Sequence, residues 1–182
     1  ARLRTIRRGN GGVPVAYLDD VRASLGALLR FYCDAAREAD ALAGGSPQIT
    51  HADWNPANVL FIDQLVAGVL NFDGARLQCR VIDVANAIVQ FCTFSEKDTD
   101  PGMWPANINL ELFQSFVAGY DSIHPLRSSE IEAIPHLMIE AIIAEPVLAS
   151  RRATDRGGLD AYLPWLDMAR RKAAWILDHV DT

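Results

Sequence analysis

The residues able to do chemistry cluster in one stretch, Thr50-His51-Ala52-Asp53-Trp54-Asn55-Pro56-Ala57-Asn58-Val59-Leu60-Phe61. A single carboxylate, Asp53, lies between a histidine and two asparagines. A carboxylate of ordinary pKa can orient a hydroxyl and take its proton when that proton leaves late in the reaction. A carboxamide oxygen, as on Asn58, suits a hard cation such as Mg²⁺, which prefers oxygen ligands. His51 reads as a support for the loop backbone rather than a proton shuttle. Two further acids follow, Asp73 behind Leu65–Phe72 and Asp83 in Ile82-Asp83-Val84-Ala85. Each has a plainer reading beside the chemical one. Asp53 can cap local backbone, Asn58 can close the loop by side-chain hydrogen bonds, and Asp83 can be the N-cap of a helix.

The elements that must hold these groups are legible from periodicity. Leu18, Val21, Leu25, Leu28, Leu29, Tyr32, Cys33 and Ala36 recur at helical spacing, with Asp19 or Asp20 as N-cap and Gly44-Gly45 as the stop. They predict a helix over about 20–43. Val59–Ile62 and Leu65–Leu70 predict two strands around Asp63-Gln64, a hairpin with Asn58 at one end and Asn71 at the other. A second apolar helix begins at Ile82 and reaches about Cys92. Ser95 to Asn107 reads as an irregular loop. Leu110, Phe113, Phe116, Val117 and Tyr120 mark a third helix. A fourth runs from about Ser129 to Ala149, and Pro135 predicts a late start or a kink. Ala153 to Gly158 reads as a loop before a final helix carrying Tyr162, Trp165, Leu166, Ala169, Ala173, Ile176 and Leu177. The expected class is α+β, mostly α, with one small β-hairpin carrying the polar loop. Residues 1–16, with Gly9, Asn10, Gly11, Gly12 and Pro14, read as a flexible lead-in to one domain over 17–182.

Composition narrows the function. A formal charge of −6 argues against a general nucleic-acid binder. Arg2, Arg4, Arg7 and Arg8 read as a solvated arm. No apolar run is long enough for a membrane span, and the N-terminus lacks the core of a signal peptide, which points to a cytoplasmic protein. Cys33, Cys79 and Cys92 are odd in number and form no C-x-x-C pair, as expected of reduced thiols. His51, His124, His136 and His179 are scattered without ligand spacing. The chain opens on Ala, as expected of a processed start or a piece of a longer protein.

His51, Asp53 and Asn58 have the order H-x-D-x-x-x-x-N, the spacing of the protein-kinase catalytic loop, where Asp accepts the substrate proton and Asn holds magnesium. The segment His51–Asn58, the hairpin, Gly68-Val69-Leu70-Asn71-Phe72-Asp73 and Asp83-Val84-Ala85 together resemble the C-terminal lobe of the aminoglycoside phosphotransferase and choline kinase superfamily. That family's loop commonly reads H-G-D-x-H-P-G-N, followed by a strand ending in I-D-F or I-D-W and then a D-L-A element. Gly119-Tyr120 and Pro125-Leu126 also fit its downstream helices, so the resemblance covers about residues 18 to 180.

The resemblance implies the helical C-terminal lobe of a protein-kinase-like fold. It further implies transfer of the γ-phosphoryl of ATP or GTP, with Mg²⁺, to a hydroxyl of an aminoglycoside, an amino alcohol such as choline, or homoserine. Asp53 would be the catalytic carboxylate, Asn58 and Asn71 would face the metal and nucleotide, and Asp83 would anchor the loop. The sequence departs from the pattern in three places. Asn71 stands where the family has Asp. Either Asn71 shares the metal role with Asp73, which would lie on the same strand face, or the metal site is impaired, or the segment is a structural turn. Ala52 and Ala57 replace loop glycines, at about 1 kcal/mol each if those positions need φ > 0. Finally, the N-terminal nucleotide lobe with its phosphate-pairing Lys has no counterpart here, since Lys97 and Lys172 both lack the strand-then-helix setting.

Trp54 and Asn55 could border the acceptor pocket. Trp104, Glu140, Glu145 and Asp155 could serve a cationic acceptor, and Trp165 and Trp175 lie nearby in the helical part. The competing expectation is a truncated or degenerate non-catalytic lobe acting as a binding module. A lobe lacking its partner would expose an apolar face, which favours a homodimer.

Overall fold

Val81–Phe91 is apolar almost all round, broken only by Asp83, Asn86 and Gln90, and a helix of that pattern belongs inside a core. It is the central helix of one of two compact units. The computed structural model describes residues 15–42, 44–45, 47–93, 100–153 and 158–179. Among these the chain forms α1 (Val15–Leu42), β1 (Gln48–Thr50), β2 (Val59–Ile62), β3 (Leu65–Val69), β4 (Arg76–Gln78), α2 (Val81–Phe91), α3 (Leu110–Ile123), α4 (Ser128–Ala153) and α5 (Gly158–Leu177). Single 3₁₀ turns occupy Pro56–Asn58, Phe72–Gly74 and Pro101–Met103. This is a mostly helical α+β architecture with two small two-stranded sheets.

The unit that concerns the site comprises described residues within Ala35–Phe94 and Ile108–Ala141. Its core gathers Val81, Val84, Ala85, Ala87, Ile88 and Val89 of α2 with Ala133, Ile134, Leu137, Met138 and Ile139 of α4. The α4 set recurs at helical spacing along one face. Asn109 caps α3, its side chain accepting from the Leu112 N–H at 2.9 Å, and its own N–H donates to the Cys92 carbonyl at 2.7 Å. Cys92 is buried, which pushes its thiol up to about 11 and makes it inert.

Two antiparallel two-stranded sheets carry the polar segment of this unit. Strand β1 pairs with β4 through Gln48↔Gln78, Ile49↔Leu77 and Thr50↔Arg76. Together they close the base of everything between residues 51 and 75. Within it β2 and β3 form the hairpin, with Val59↔Val69 and Ile62↔Leu65 and a bulge between Leu60 and Phe61. Asp63 turns the hairpin at φ 55°, a left-handed conformation that Asp tolerates. Leu60, Phe61, Ile62, Leu65 and Val66 are exposed. Backbone pairing, not apolar burial, therefore fixes this segment.

The other unit draws on described residues within Ala1–Asp34, Ser95–Asn107 and Ile142–Thr182. Helix α5 buries Leu163, Leu166, Met168, Ala169, Ala173 and Ile176. Its Arg171 donates to the Trp104 and Gly102 carbonyls, both at 2.8 Å, and to Asp167 at 3.0 Å. Lys172 is buried with Nζ 5.8 Å from the centre of the Trp104 ring, and burial lowers its pKa.

Several expectations change against this architecture. The single hairpin becomes two sheets, because residues 48–50 and 76–78 find each other across 25 intervening residues. Helix α1 begins at Val15, inside the expected lead-in, whose residues 1–14 lie outside the described residues. Helix α4 starts at Ser128 and passes through Pro135 as one helix, so Pro135 does not delay it. Helix α5 starts at Gly158, before Tyr162. Residues 94–99 of the expected loop and Asp155 also lie outside the described residues.

Candidate active site

The site is assembled on α2 and the two sheets. Asp83, in the first turn of α2, does not cap that helix: Arg80 holds the N-cap position without a side-chain cap bond. Its two carboxylate oxygens instead take the first two amides of the loop. The His51 N–H donates to Oδ2 at 2.6 Å and the Ala52 N–H to Oδ1 at 2.8 Å. Charge-assisted hydrogen bonds to backbone amides are the stronger kind, so this clamp ties the loop firmly to the core helix.

His51 is buried and makes two directed bonds. Its Nδ1 accepts from the Asp53 N–H at 3.2 Å, which leaves Nε2 as the donor to the Leu70 carbonyl at 2.7 Å. The ring lies between Trp54, with centroids 5.0 Å apart, and Phe72, edge-on at 4.8 Å. His51 thus links the loop to the far end of the hairpin, and Trp54 packs on it. The Leu70 N–H to Asn58 carbonyl bond at 2.9 Å extends the β2–β3 pairing by one step, bringing Asn71 beside Asn58.

At the centre is the Asp53 carboxylate, half-buried, with three carboxamides turned toward it. Asn55 Nδ2 donates to Oδ1 at 3.1 Å; Asn58 Nδ2 and Asn71 Nδ2 both donate to Oδ2, at 2.9 and 2.8 Å. Asn55 and Asn58 also donate to the Asp53 carbonyl, at 3.2 and 2.8 Å. The chemistry of the partners fixes each amide's orientation. Asn55 Oδ1 must accept from the Ala57 N–H, at 3.0 Å, and Asn58 and Asn71 face only acceptors. Among the described residues no Lys, Arg or His side chain pairs with the Asp53 carboxylate.

Backbone conformation separates the two alanines that replace glycines. Ala52 has φ 64°, in the left-handed region, whereas Ala57 is not among the residues with positive φ. Asn71 also adopts the left-handed conformation, φ 64° and ψ 58°, at the head of the Phe72–Gly74 turn. Strand β3 has ended at Val69, so Asn71 and Asp73 do not alternate on a strand. The shared-face expectation for these two residues is therefore corrected. Among the described residues Asp73 makes no hydrogen bond or ion pair, and the structure does not join it to Asp53, Asn58 and Asn71.

A hard cation needs oxygen donors. Asn58 Oδ1 and Asn71 Oδ1 accept no hydrogen bond among the described residues, while their Nδ2 atoms are committed to Asp53. These two oxygens beside one carboxylate fit magnesium by donor type, with one negative charge fewer than a pair of carboxylates would supply.

The remaining candidates lie elsewhere. Trp104 meets Trp165 edge-on at 5.6 Å and already holds the chain's own Lys172 over its ring. Trp175 stacks on His179. Glu140 is pushed up by burial and then by Asp40. Sequence reasoning missed the direct role of Asn55 at the carboxylate; the Asp-x-Asn spacing was the available signal. It also missed the Arg80–Glu130 pair. Arg80 Nε and Nη2 donate to Glu130 at 2.9 and 2.7 Å, and Arg80 also donates to the His124 and Pro125 carbonyls. Nothing in the local sequence marked a pairing across 50 positions.

The polar site of this unit is thus a half-buried carboxylate ringed by three carboxamides, on a loop clamped by an acid of the next helix. Residues 3–126 match the family model described as the phosphotransferase enzyme family, and the chain belongs to that family. Among curated proteins it is 31% identical over 105 residues to the homoserine kinase of Phenylobacterium zucineum, covering 57% of this chain and 30% of that protein. It is 30% identical over 127 residues to the homoserine kinase of Acidiphilium cryptum, covering 69% of this chain and 36% of the relative. The homoserine kinase of Mesorhizobium japonicum is 34% identical over 89 residues, 49% of this chain and 25% of that protein. The chain thus spans about a third of the length of the curated relatives it matches. No helix among the described residues is long and apolar enough to cross a membrane.

Proposed function

We propose that this chain is the C-terminal, catalytic lobe of a small-molecule kinase that transfers the γ-phosphoryl group of ATP or GTP to the side-chain hydroxyl of homoserine. The observation that carries the reading is the Asp53 carboxylate, surrounded by neutral amide donors and, among the described residues, lacking a cationic partner. Homoserine is preferred over an aminoglycoside or an amino alcohol because the relatives cited above carry that name.

Asp53 accepts the hydroxyl proton as the acceptor oxygen bonds to phosphorus and the nucleoside diphosphate leaves. Little covalent work is asked of the protein, so positioning dominates. Asp83 and His51 hold the backbone amides that lead into Asp53. Asn58 and Asn71 would hold Mg²⁺ through their Oδ1 atoms. Bound there, the ion would offset the charge of the phosphates. Asp73, exposed and without a partner among the described residues, is available to water-mediated contacts with such an ion.

The test is transfer from γ-labelled ATP to a panel of homoserine, choline and an aminoglycoside, with and without Mg²⁺. Label on homoserine alone, lost without Mg²⁺, is the expected result. Label on another acceptor would overturn the substrate, and label on none would overturn the kinase reading for this chain. A second reading, a non-catalytic binding lobe, is favoured by the neutral Asn71. It requires Mg²⁺-dependent ATP binding by calorimetry with no transfer at all.

A further inference from the structure

We propose that Asn71 is the positioning residue of Asp53, closing the carboxylate so that a single acceptor site, on Oδ1, is left for the substrate hydroxyl. The inference rests on the kinase reading above and deepens it. A carboxylate offers about four lone-pair sites in its plane. Asn58 and Asn71 occupy both on Oδ2, and Asn55 takes one on Oδ1. One remains.

The Asn71 bond is not a by-product of burial, because the residue is exposed. It is imposed by the backbone. The Leu70 N–H to Asn58 carbonyl bond sets the register, and the left-handed conformation at 71 turns the side chain back toward the loop. Asn71 makes no cap bond to its own turn, so its amide is spent on Asp53 alone. Asn is among the few residues that adopt this conformation readily and also carry an N–H donor. With Asp53 so held, the acceptor O–H bond breaks toward Oδ1. The oxygen's electron pair forms the bond to the γ-phosphorus, and the bond from that phosphorus to the bridging oxygen breaks with its electrons going to the nucleoside diphosphate.

Two measurements separate this from the kinase reading. In the isotope-labelled 182-residue chain, free of divalent cations, the Asn71 side-chain amide should exchange slowly and show scalar coupling to the Asp53 carboxyl carbon. Fast exchange without coupling would overturn the proposal whether or not phosphate is transferred. In homoserine phosphorylation at saturating Mg²⁺, so that the Oδ1 lost with the side chain does not limit the rate, Asn71→Gly keeps the left-handed turn and removes the N–H donor to Asp53. It should lower kcat by about 100-fold, the cost of a misplaced reacting group. KM for homoserine should stay within about two-fold, as for an interaction that matters after binding. An unchanged kcat, or a loss confined to KM, would overturn the positioning role. No transfer by the unmodified chain with the coupling intact would refute the kinase reading while upholding the placement of Asn71.

Discussion

Glu130 and Asp53 belong to the same compact unit, and each carboxylate accepts three hydrogen bonds, but from opposite kinds of donor. Glu130 is 3% exposed and takes two bonds from the Arg80 guanidinium and one from the Arg127 N–H, with the Arg127 side chain 3.3 Å away. The Arg80 guanidinium hydrogen-bonded to it holds its carboxyl far below the usual range. Asp53 takes three bonds from neutral carboxamides. One carboxylate has its positive charge supplied by the protein; the other, among the described residues, does not. A charge already neutralised by the fold has a structural task, tying the start of α2 to the α3–α4 connection. A charge held in place yet left without a counter-ion is available to a proton or a cation from outside.

The largest effect expected from this contrast is on turnover. Asp53→Asn should reduce phosphoryl transfer by about 1,000-fold, within the range that general-base groups supply. Folding should change little, since the donors around a half-buried site can turn to water. A variant that keeps near-normal transfer would sink the assignment of Asp53.

Glu130→Ala should do the reverse. Removing one member of a buried pair leaves Arg80 uncompensated and costs on the order of 3 kcal/mol in denaturant unfolding. The pH dependence has a definite sign. The folded pKa of Glu130 is depressed, so its contribution is complete above the ordinary carboxyl value of 4.5 and is lost as pH falls below it. The native chain should therefore lose stability below about pH 4.5 more steeply than Glu130→Gln. Parallel acid-unfolding curves for the two would break the contrast with Asp53.

How much of this was legible in the sequence follows the same division. The helices and the hairpin were visible because each repeats a local signal: the apolar run of α2, the branched residues of β2 and β3, the turn at Asp63-Gln64. His51, Asp53 and Asn58 were visible because eight consecutive positions contain them all. Strands β1 and β4 were not, since three residues carry too little periodicity and their pairing is non-local. Asn71 was singled out, but the strand geometry assumed for Asn71 and Asp73 failed because β3 stops at Val69 and a left-handed residue intervenes. Side chains that act across many positions, as Arg80 does on Glu130, leave no trace in spacing.

Asp83 is an intermediate case between the two carboxylates, because it takes only backbone amides. Asp83→Ala should cost about 2 kcal/mol of stability, the scale of hydrogen bonds to a charged acceptor. It should also slow transfer, because His51 and Ala52 are released together. Stability lost without any change in kcat would show that the loop keeps its shape unaided and that Asp83 is structural in the manner of Glu130.

The smallest effect concerns strain. The three non-glycine residues with positive φ among the described residues, Ala52, Asp63 and Asn71, all lie between β1 and β4, and none is near Arg80 or Glu130 in sequence. Asp and Asn tolerate that conformation; Ala does not, because its Cβ crowds the following carbonyl by about 1–2 kcal/mol. Ala52→Gly removes the crowding but loosens the unfolded chain by about 0.5–1 kcal/mol, so the net gain should be near 0.5 kcal/mol. For a chain of this size that raises Tm by about 1–2 °C. The amide of residue 52 still donates to Asp83, so kcat should hold. A lower Tm would mean that Ala52 sits without strain. A higher Tm with reduced kcat would show that the methyl group at 52, pressed into this conformation, helps to aim the Asp53 loop, and that strain as well as unpaired charge distinguishes this region from the Arg80–Glu130 clip.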